Sequence, residues 1–365
     1  MQFGIWTPLP HTIRAEPRMD RSTADLKAGD LKSGTAREGT DDAFQFALDV
    51  VRRAEDFGFA TTLIAQRYLG PDLEAWTLAS ALAGLTRRIE LMIAVHPGMM
   101  TPQVVAKMGA SLDRISGGRF AINLVNGWWR EEFELFSNGN WADDADQKFT
   151  RMREYLEVLQ GFWTTGDLDY QGRFYRADIK GALKGANARV VVPDAGEIVA
   201  NTGQRRTPPI YAASRSAPGK RIIAELVDVW FAEYKPGYRN FEANLALVAR
   251  DVREMTEMAA GFGRTLGFGL NPQVVLAATM EEANVIADAV ENPANRDRIS
   301  NTLGAGLVGT PQLVAERIRA YEAAGITCMM LRFTPMLDGI EAFGRTVMPL
   351  LGGAGGRGTC GSSVQ

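Results

Sequence analysis

Short apolar runs rich in β-branched and aromatic residues alternate along this 365-residue chain with longer segments whose apolar positions recur at helical spacing. The runs predict strands over 3–7, 61–66, 89–96, 120–125, 209–213, 228–233, 268–277 and 328–333. The helical periodicity predicts helices over 42–57, 73–85, 102–115, 150–163, 218–227, 240–261, 280–290 and 311–324, with a closing helix over 339–350. Eight strands, each followed by a helix, in a chain longer than the roughly 250 residues typical of that fold, predict an α/β (β/α)8 TIM barrel with insertions after strands 1, 4 and 7. The barrel domain is expected over 1–351. The Gly-rich stretch 352–365 has no apolar content to bury and is expected to form a flexible tail.

The insertions fall at about 9–40, 165–208 and 291–307. Long connections after barrel strands are where function concentrates, so the first and third are candidate lids, with disorder or oligomer contacts as alternatives. The second carries a hairpin-like run from Asp169 to Arg176.

Charge narrows the function. Forty Lys and Arg against 43 Asp and Glu leave a net charge of −3, which argues against nucleic-acid and membrane-surface partners. The start, MQFGIWTPLP, lacks a basic region followed by an apolar stretch, and no apolar run approaches the roughly 20 residues that span a bilayer, so a cytoplasmic protein is expected. Two cysteines, Cys328 and Cys360, and two histidines, His11 and His96, leave no disulfide framework and no metal site of the multi-histidine type. No GxGxxG follows a strand, which argues against a built-in dinucleotide domain.

The segment from Thr101 to Trp128, TPQVVAKMGASLDRISGGRFAINLVNGW, closely resembles the third-helix to fourth-strand region of bacterial-luciferase-like flavin-dependent monooxygenases (the LLM class). Asp169 to Arg176, Ser214-Arg215-Ser216, Leu307-Val308-Gly309-Thr310 and Phe343 to Leu350 extend the resemblance over nearly the whole chain. Within that class it is most similar to the group containing alkanesulfonate, dimethyl sulfone and pyrimidine monooxygenases. The resemblance implies reduced FMN supplied by a separate NAD(P)H-dependent flavin reductase. It also implies O2 as co-substrate, a small polar substrate (sulfonate or sulfone ahead of a pyrimidine-like amide), and a homo-dimer or tetramer. A deazaflavin-dependent dehydrogenase on the same fold and a non-catalytic flavin-binding barrel are the rival readings.

Position and resemblance together select site candidates. Asn123, near the end of the fourth strand, offers an amide to the polar edge of a flavin ring. Gln66 and Arg67 end the second strand, with Arg67 suited to stabilise negative charge. Ser216 opens a helix and forms either a phosphate site or an ordinary N-cap. Glu132 matches a position that contacts FMN, and equally fits a solvated loop charge. Lys148-Phe149 stands where relatives carry a Tyr commonly preceded by Arg, and Asn126 where they carry Thr or Ser. His96 ends the third strand and His11 follows the first, both on the catalytic side; His96, followed by Pro97-Gly98, is either an active-site residue or a turn residue hydrogen-bonded to backbone. Arg332 ends the eighth strand and is the candidate for substrate oxygens, with Arg215 and Arg130 as further candidates or structural ion-pair partners. Asp113-Arg114 and Gly117-Gly118-Arg119 precede the fourth strand and are expected to serve stability at the opposite end.

Overall fold

The computed structural model describes residues 1–7, 43–68, 73–127, 129–164, 168–178, 207–291 and 300–352. The first candidate lid, His11 and the tail beyond 352 fall outside them, as do residues 292–299 of the other candidate lid. Eight parallel strands close into a barrel: β1 (Gln2–Thr7), β2 (Thr61–Ile64), β3 (Glu90–Val95), β4 (Phe120–Leu124), β7 (Ile210–Ala212), β8 (Val229–Phe231), β9 (Gly267–Leu270) and β12 (Cys328–Leu331). β1 pairs with both β2 and β12, which completes the ring and removes every sheet edge. The TIM-barrel expectation is borne out.

Around the barrel lie α1 (Ala43–Phe57), α2 (Ala75–Leu85), α3 (Pro102–Ser116), α4 (Arg130–Phe136), α5 (Ala145–Thr164), α6 (Ala217–Leu226), α7 (Phe241–Ala260), α8 (Met280–Glu291), α9 (Pro311–Ala323) and α10 (Met336–Thr346). Several start where the sequence supplies both a cap and a first-turn proline: Thr101 before Pro102, Ser216 before Pro218, Thr310 before Pro311. Among the described residues, the second insertion contributes the antiparallel hairpin β5 (Asp169–Gln171) and β6 (Arg176–Asp178). It is tied to α5 by Glu154, whose carboxylate accepts the N–H groups of Arg173, Phe174 and Tyr175 at 2.7, 2.7 and 3.0 Å. A Cβ at Gly172 would come within 2.4 Å of that carboxylate, so the hairpin tip needs glycine.

Strand alternation separates two cores. Leu63, Met92, Ala94, Ala121, Tyr211, Val229, Phe231, Cys328 and Met330 form the cluster inside the barrel, while the intervening Ile64, Leu91, Ile93, Phe120, Ile122, Ile210 and Met329 pack outward with the helices. At the N-terminal end the buried Arg119 guanidinium donates to the carbonyls of Ser116, Ile89, Ala83 and Thr86, which fits the stability role expected there.

The expected strand over 268–277 divides into β9 and β10 (Val275–Leu276), and β10 pairs with β11 (Val308–Gly309). The break lies at Pro272, which has no N–H for a ladder. α4 was not expected from the sequence, and α5 begins five residues before its expected start, where Asp144 caps it by accepting Gln147 N–H at 2.8 Å.

Candidate active site

The parity that fills the barrel also brings polar residues to its C-terminal mouth. Arg67 lies four residues beyond the interior Leu63, His96 four beyond Met92, Asn123 two beyond Ala121, and Arg332 two beyond Met330. Asn123 falls on an inward position within β4, Arg332 is bridged to Gln273 directly after β12, and Arg67 and His96 lie in the segments that follow β2 and β3, all at the end where barrel active sites form. Asn123 pairs in register with Ala94 on β3 and Tyr211 on β7; it is buried, and its Oδ1 has no hydrogen-bond partner among the described residues. A buried acceptor left unmet costs about 1–3 kcal/mol, so the position suits a ligand that brings a donor.

Beside it, Gln66 donates through Nε2 to the Tyr68 hydroxyl at 2.9 Å, while its buried Oε1 also lacks a partner among the described residues. Arg67 is 5% exposed and lies over the Trp129 ring, 5.4 Å from its centroid. Glu132 is buried on α4 and accepts the N–H of Tyr68 at 2.9 Å, which fixes the loop that carries Gln66 and Arg67. The simpler account of Glu132 as a solvated charge does not hold.

His96 is buried between two main-chain carbonyls, Val125 O at 3.0 Å from Nδ1 and Gln66 O at 3.4 Å from Nε2. Burial holds its pKa below the ordinary value, against the two carbonyl contacts that raise it. A neutral imidazole donates once, and the shorter contact assigns that proton to Nδ1. His96 thus braces the ends of three strands. A base kept neutral in the fold stabilises above its unfolded pKa of about 6.5 and loses that contribution as pH falls. Urea unfolding between pH 8 and 5.5 is expected to show stability falling by up to about 1.4 kcal/mol per pH unit below 6.5. A His96→Asn variant with the same slope would remove the assignment.

After β7, the neighbour of β4, Ser216 is the N-cap of α6: its Oγ accepts Gly219 N–H at 3.3 Å and lies 3.2 Å from Ser214 Oγ. A Cβ at Gly219 would strike Ser214 Oγ and the Phe149 ring at 2.1 and 2.7 Å, so glycine there lets Phe149 and the Ser214–Ser216 turn close on one spot. Asn126 donates from Nδ2 to Met152 Sδ at 3.0 Å and lines a cleft with Pro97, Phe133, Trp141, Lys148 and Arg151. Arg332 stacks on Trp6, its Cζ 3.6 Å from the ring centroid, and its backbone is pinned by N–H to Pro272 O and by O to Val274 N–H, both 2.9 Å. Arg215 and Arg130 are exposed and paired, the first with Glu233 and the second with Glu134 and Asp143 at 3.2 and 3.1 Å. They are ion-pair partners at the surface.

Residues 1–328 match the family model of luciferase-like monooxygenases. The chain belongs to that family. It is 24% identical over 340 residues to the FMNH2-dependent dimethylsulfone monooxygenase of Pseudomonas putida, covering 84% of each chain. Among solved structures it is similar to the EDTA monooxygenase of Chelativorans sp. BNC1 (TM-score 0.70, 15% identity, 97% of this chain and 95% of that one). A monooxygenase of Streptomyces bottropensis is another (TM-score 0.67, 21% identity, 96% and 99%). The expected family and a flavin-dependent monooxygenase are borne out. Among the described residues no helix is long and apolar enough to cross a membrane.

In this family member the sequence reading overlooked Arg151. Arg151 stands one turn after Lys148 on α5, and the spacing Lys148, Arg151, Tyr155 marks one helical face that signals it. Trp129 is buried and serves as the platform under Arg67.

Proposed function

We propose that this monooxygenase takes reduced FMN from a separate NAD(P)H-dependent reductase and uses O2 to oxygenate a small substrate with a strongly polar oxygenated group. A sulfone or sulfonate is favoured over a pyrimidine-like amide, and the working form is a cytoplasmic homo-dimer or tetramer. The observation that carries the reading is the buried, unmet Oδ1 of Asn123 at the barrel mouth, which suits the N–H on the polar edge of a flavin ring. The Gly219 cradle, with Phe149 and the N-terminus of α6, suits its phosphate.

In this reading Asn123 and Gln66 hold the ring edge, Glu132 keeps their loop in place, and Ser216 with Lys148 and Phe149 holds the phosphate. When bound, reduced FMN supplies the two electrons that activate O2, one oxygen atom passing to the substrate and the other to water. Arg67 stabilises negative charge at the ring, Arg332 orients the substrate oxygens, and Asn126 lies within the same mouth as an amide donor. The buried Trp129 and Phe133 exclude water from that space.

The test is turnover with reduced FMN from an added reductase under 18O2. Label in the product and consumption of O2 are expected; product formed from a deazaflavin without O2 would overturn the reading. Ser216→Ala is expected to weaken FMN binding by about 1.5–3 kcal/mol, the worth of one charge-assisted hydrogen bond. Riboflavin binding should change little, and equal losses for both would limit Ser216 to capping.

A further inference from the structure

β12 lies between β1 and β9 in the barrel, so the residues that end these two strands flank Arg332. Trp6, the last residue but one of β1, packs against the cluster inside the barrel, and the Arg332 guanidinium carbon lies over its ring. The Trp6 Nε1 is buried and has no hydrogen-bond partner among the described residues. Asn271 follows β9 directly, and the carbonyl of the next residue, Pro272, takes the Arg332 N–H at 2.9 Å. The Asn271 carbonyl accepts the Tyr234 hydroxyl at 2.8 Å, while its side-chain Oδ1 is buried and has no partner among the described residues. Burial pushes the Tyr234 pKa up, against the lowering influence of the Arg332 charge, so that hydroxyl keeps its proton and holds the Asn271 backbone in place. Two unmet groups of opposite kind therefore stand on the strands beside Arg332: an indole N–H that needs an acceptor and an amide oxygen that needs a donor. Either one left unmet in a closed site costs about 1–3 kcal/mol. A ligand that brings only oxygens satisfies Trp6 and leaves Asn271 unmet.

We propose that Trp6 and Asn271 determine substrate specificity, selecting a molecule that carries a hydroxyl or N–H donor besides its accepting oxygen. Trp6 donates to the oxygen and Asn271 accepts from the donor. The inference rests on the flavin reading above for the reaction and adds to it a requirement that a plain sulfone or alkanesulfonate does not meet. A site built to bond a substrate hydroxyl or N–H rejects the analogue without it, because the protein group is then buried unpaired.

The full chain, with oxidised FMN so that no turnover occurs and again without it, is titrated calorimetrically with pairs of compounds that differ in the donor. The pairs are 2-hydroxyethanesulfonate and propanesulfonate, 2-hydroxyethyl methyl sulfone and methyl propyl sulfone, and uracil and 1,3-dimethyluracil. In each pair that binds, the donor-bearing member is expected to bind about ten- to a hundredfold more tightly. Asn271→Leu keeps the volume and removes the acceptor, so it should abolish the preference by weakening the donor-bearing member alone. Trp6→Phe keeps a ring under Arg332 and removes the N–H, so it should weaken both members together. Asn271→Asp should turn the preference toward an ammonium, with 2-aminoethanesulfonate bound about tenfold more tightly than 2-hydroxyethanesulfonate. Equal affinities within every pair, no binding of any donor-bearing member, or a preference that survives in a folded Asn271→Leu would overturn the assignment. If Asn271→Leu does not fold, an Asn271→Asp chain with the parental order of affinities overturns it. A preference shown by a protein that binds no FMN leaves the pocket standing and the flavin reading refuted. FMN bound beside compounds that are not told apart refutes the pocket alone.

Discussion

An Arg67→Met variant is expected to bind oxidised FMN almost as well as the parent chain while oxygenating its substrate about 10²–10³-fold more slowly. The two effects separate because the oxidised ring is neutral, whereas the reduced ring carries negative charge that a guanidinium in a water-poor site stabilises. Arg67 is placed for this: it follows β2 at the C-terminal mouth of the barrel, is 5% exposed, and rests on Trp129. Methionine keeps much of the stem's volume and removes the charge, so packing on Trp129 is largely retained. Arg67→Lys should recover part of the rate, since it restores the charge without the planar fork. Single-turnover kinetics with pre-reduced FMN checks the prediction, with circular dichroism to confirm the fold. Unchanged rates in Arg67→Met would remove Arg67 from the chemistry.

The barrel was legible because its interior and exterior residues alternate over eight strands, and burial on both sides of each strand leaves little freedom to the pattern. What was not legible lies where chain pairs with loops and not with strands. β2 ends at Ile64, two residues short of expectation, because beyond it the Gln66 carbonyl turns to His96 and the Tyr68 N–H to Glu132. Neither partner is adjacent in sequence. α4 is seven residues long, too short for periodicity to register, and Trp129 gives it no side-chain cap. The earlier start of α5, by contrast, was readable, since Asp144 precedes Gln147 by the spacing of an N-cap. Among the site residues, the placement of Asn123, Arg67 and Arg332 at or just beyond strand ends followed from the positions of the apolar runs. That His96 would meet a carbonyl at each ring nitrogen did not, because it depends on how three strand ends converge.

Arg332→Lys is expected to reduce kcat/KM for an alkanesulfonate or a sulfone by about ten- to a hundredfold and to leave a neutral pyrimidine nearly unaffected. Arg332 follows β12 directly, and its guanidinium carbon lies over the Trp6 ring, 3.6 Å from its centroid, with its backbone held on both sides. Lysine keeps the positive charge but neither stacks as a plane nor presents two parallel donors, so the loss measures geometry and not charge. Oxygens on sulfur accept such a fork, whereas the flat ring of a pyrimidine asks for single donors and acceptors at its edge. In the proposed reading the FMN phosphate is held at Ser216, so Arg332 is left to the substrate, and its substitution should change KM for the sulfur compound while FMN affinity holds. A pyrimidine turned over well, with no change in Arg332→Lys on either substrate class, would remove the oxyanion from the substrate altogether.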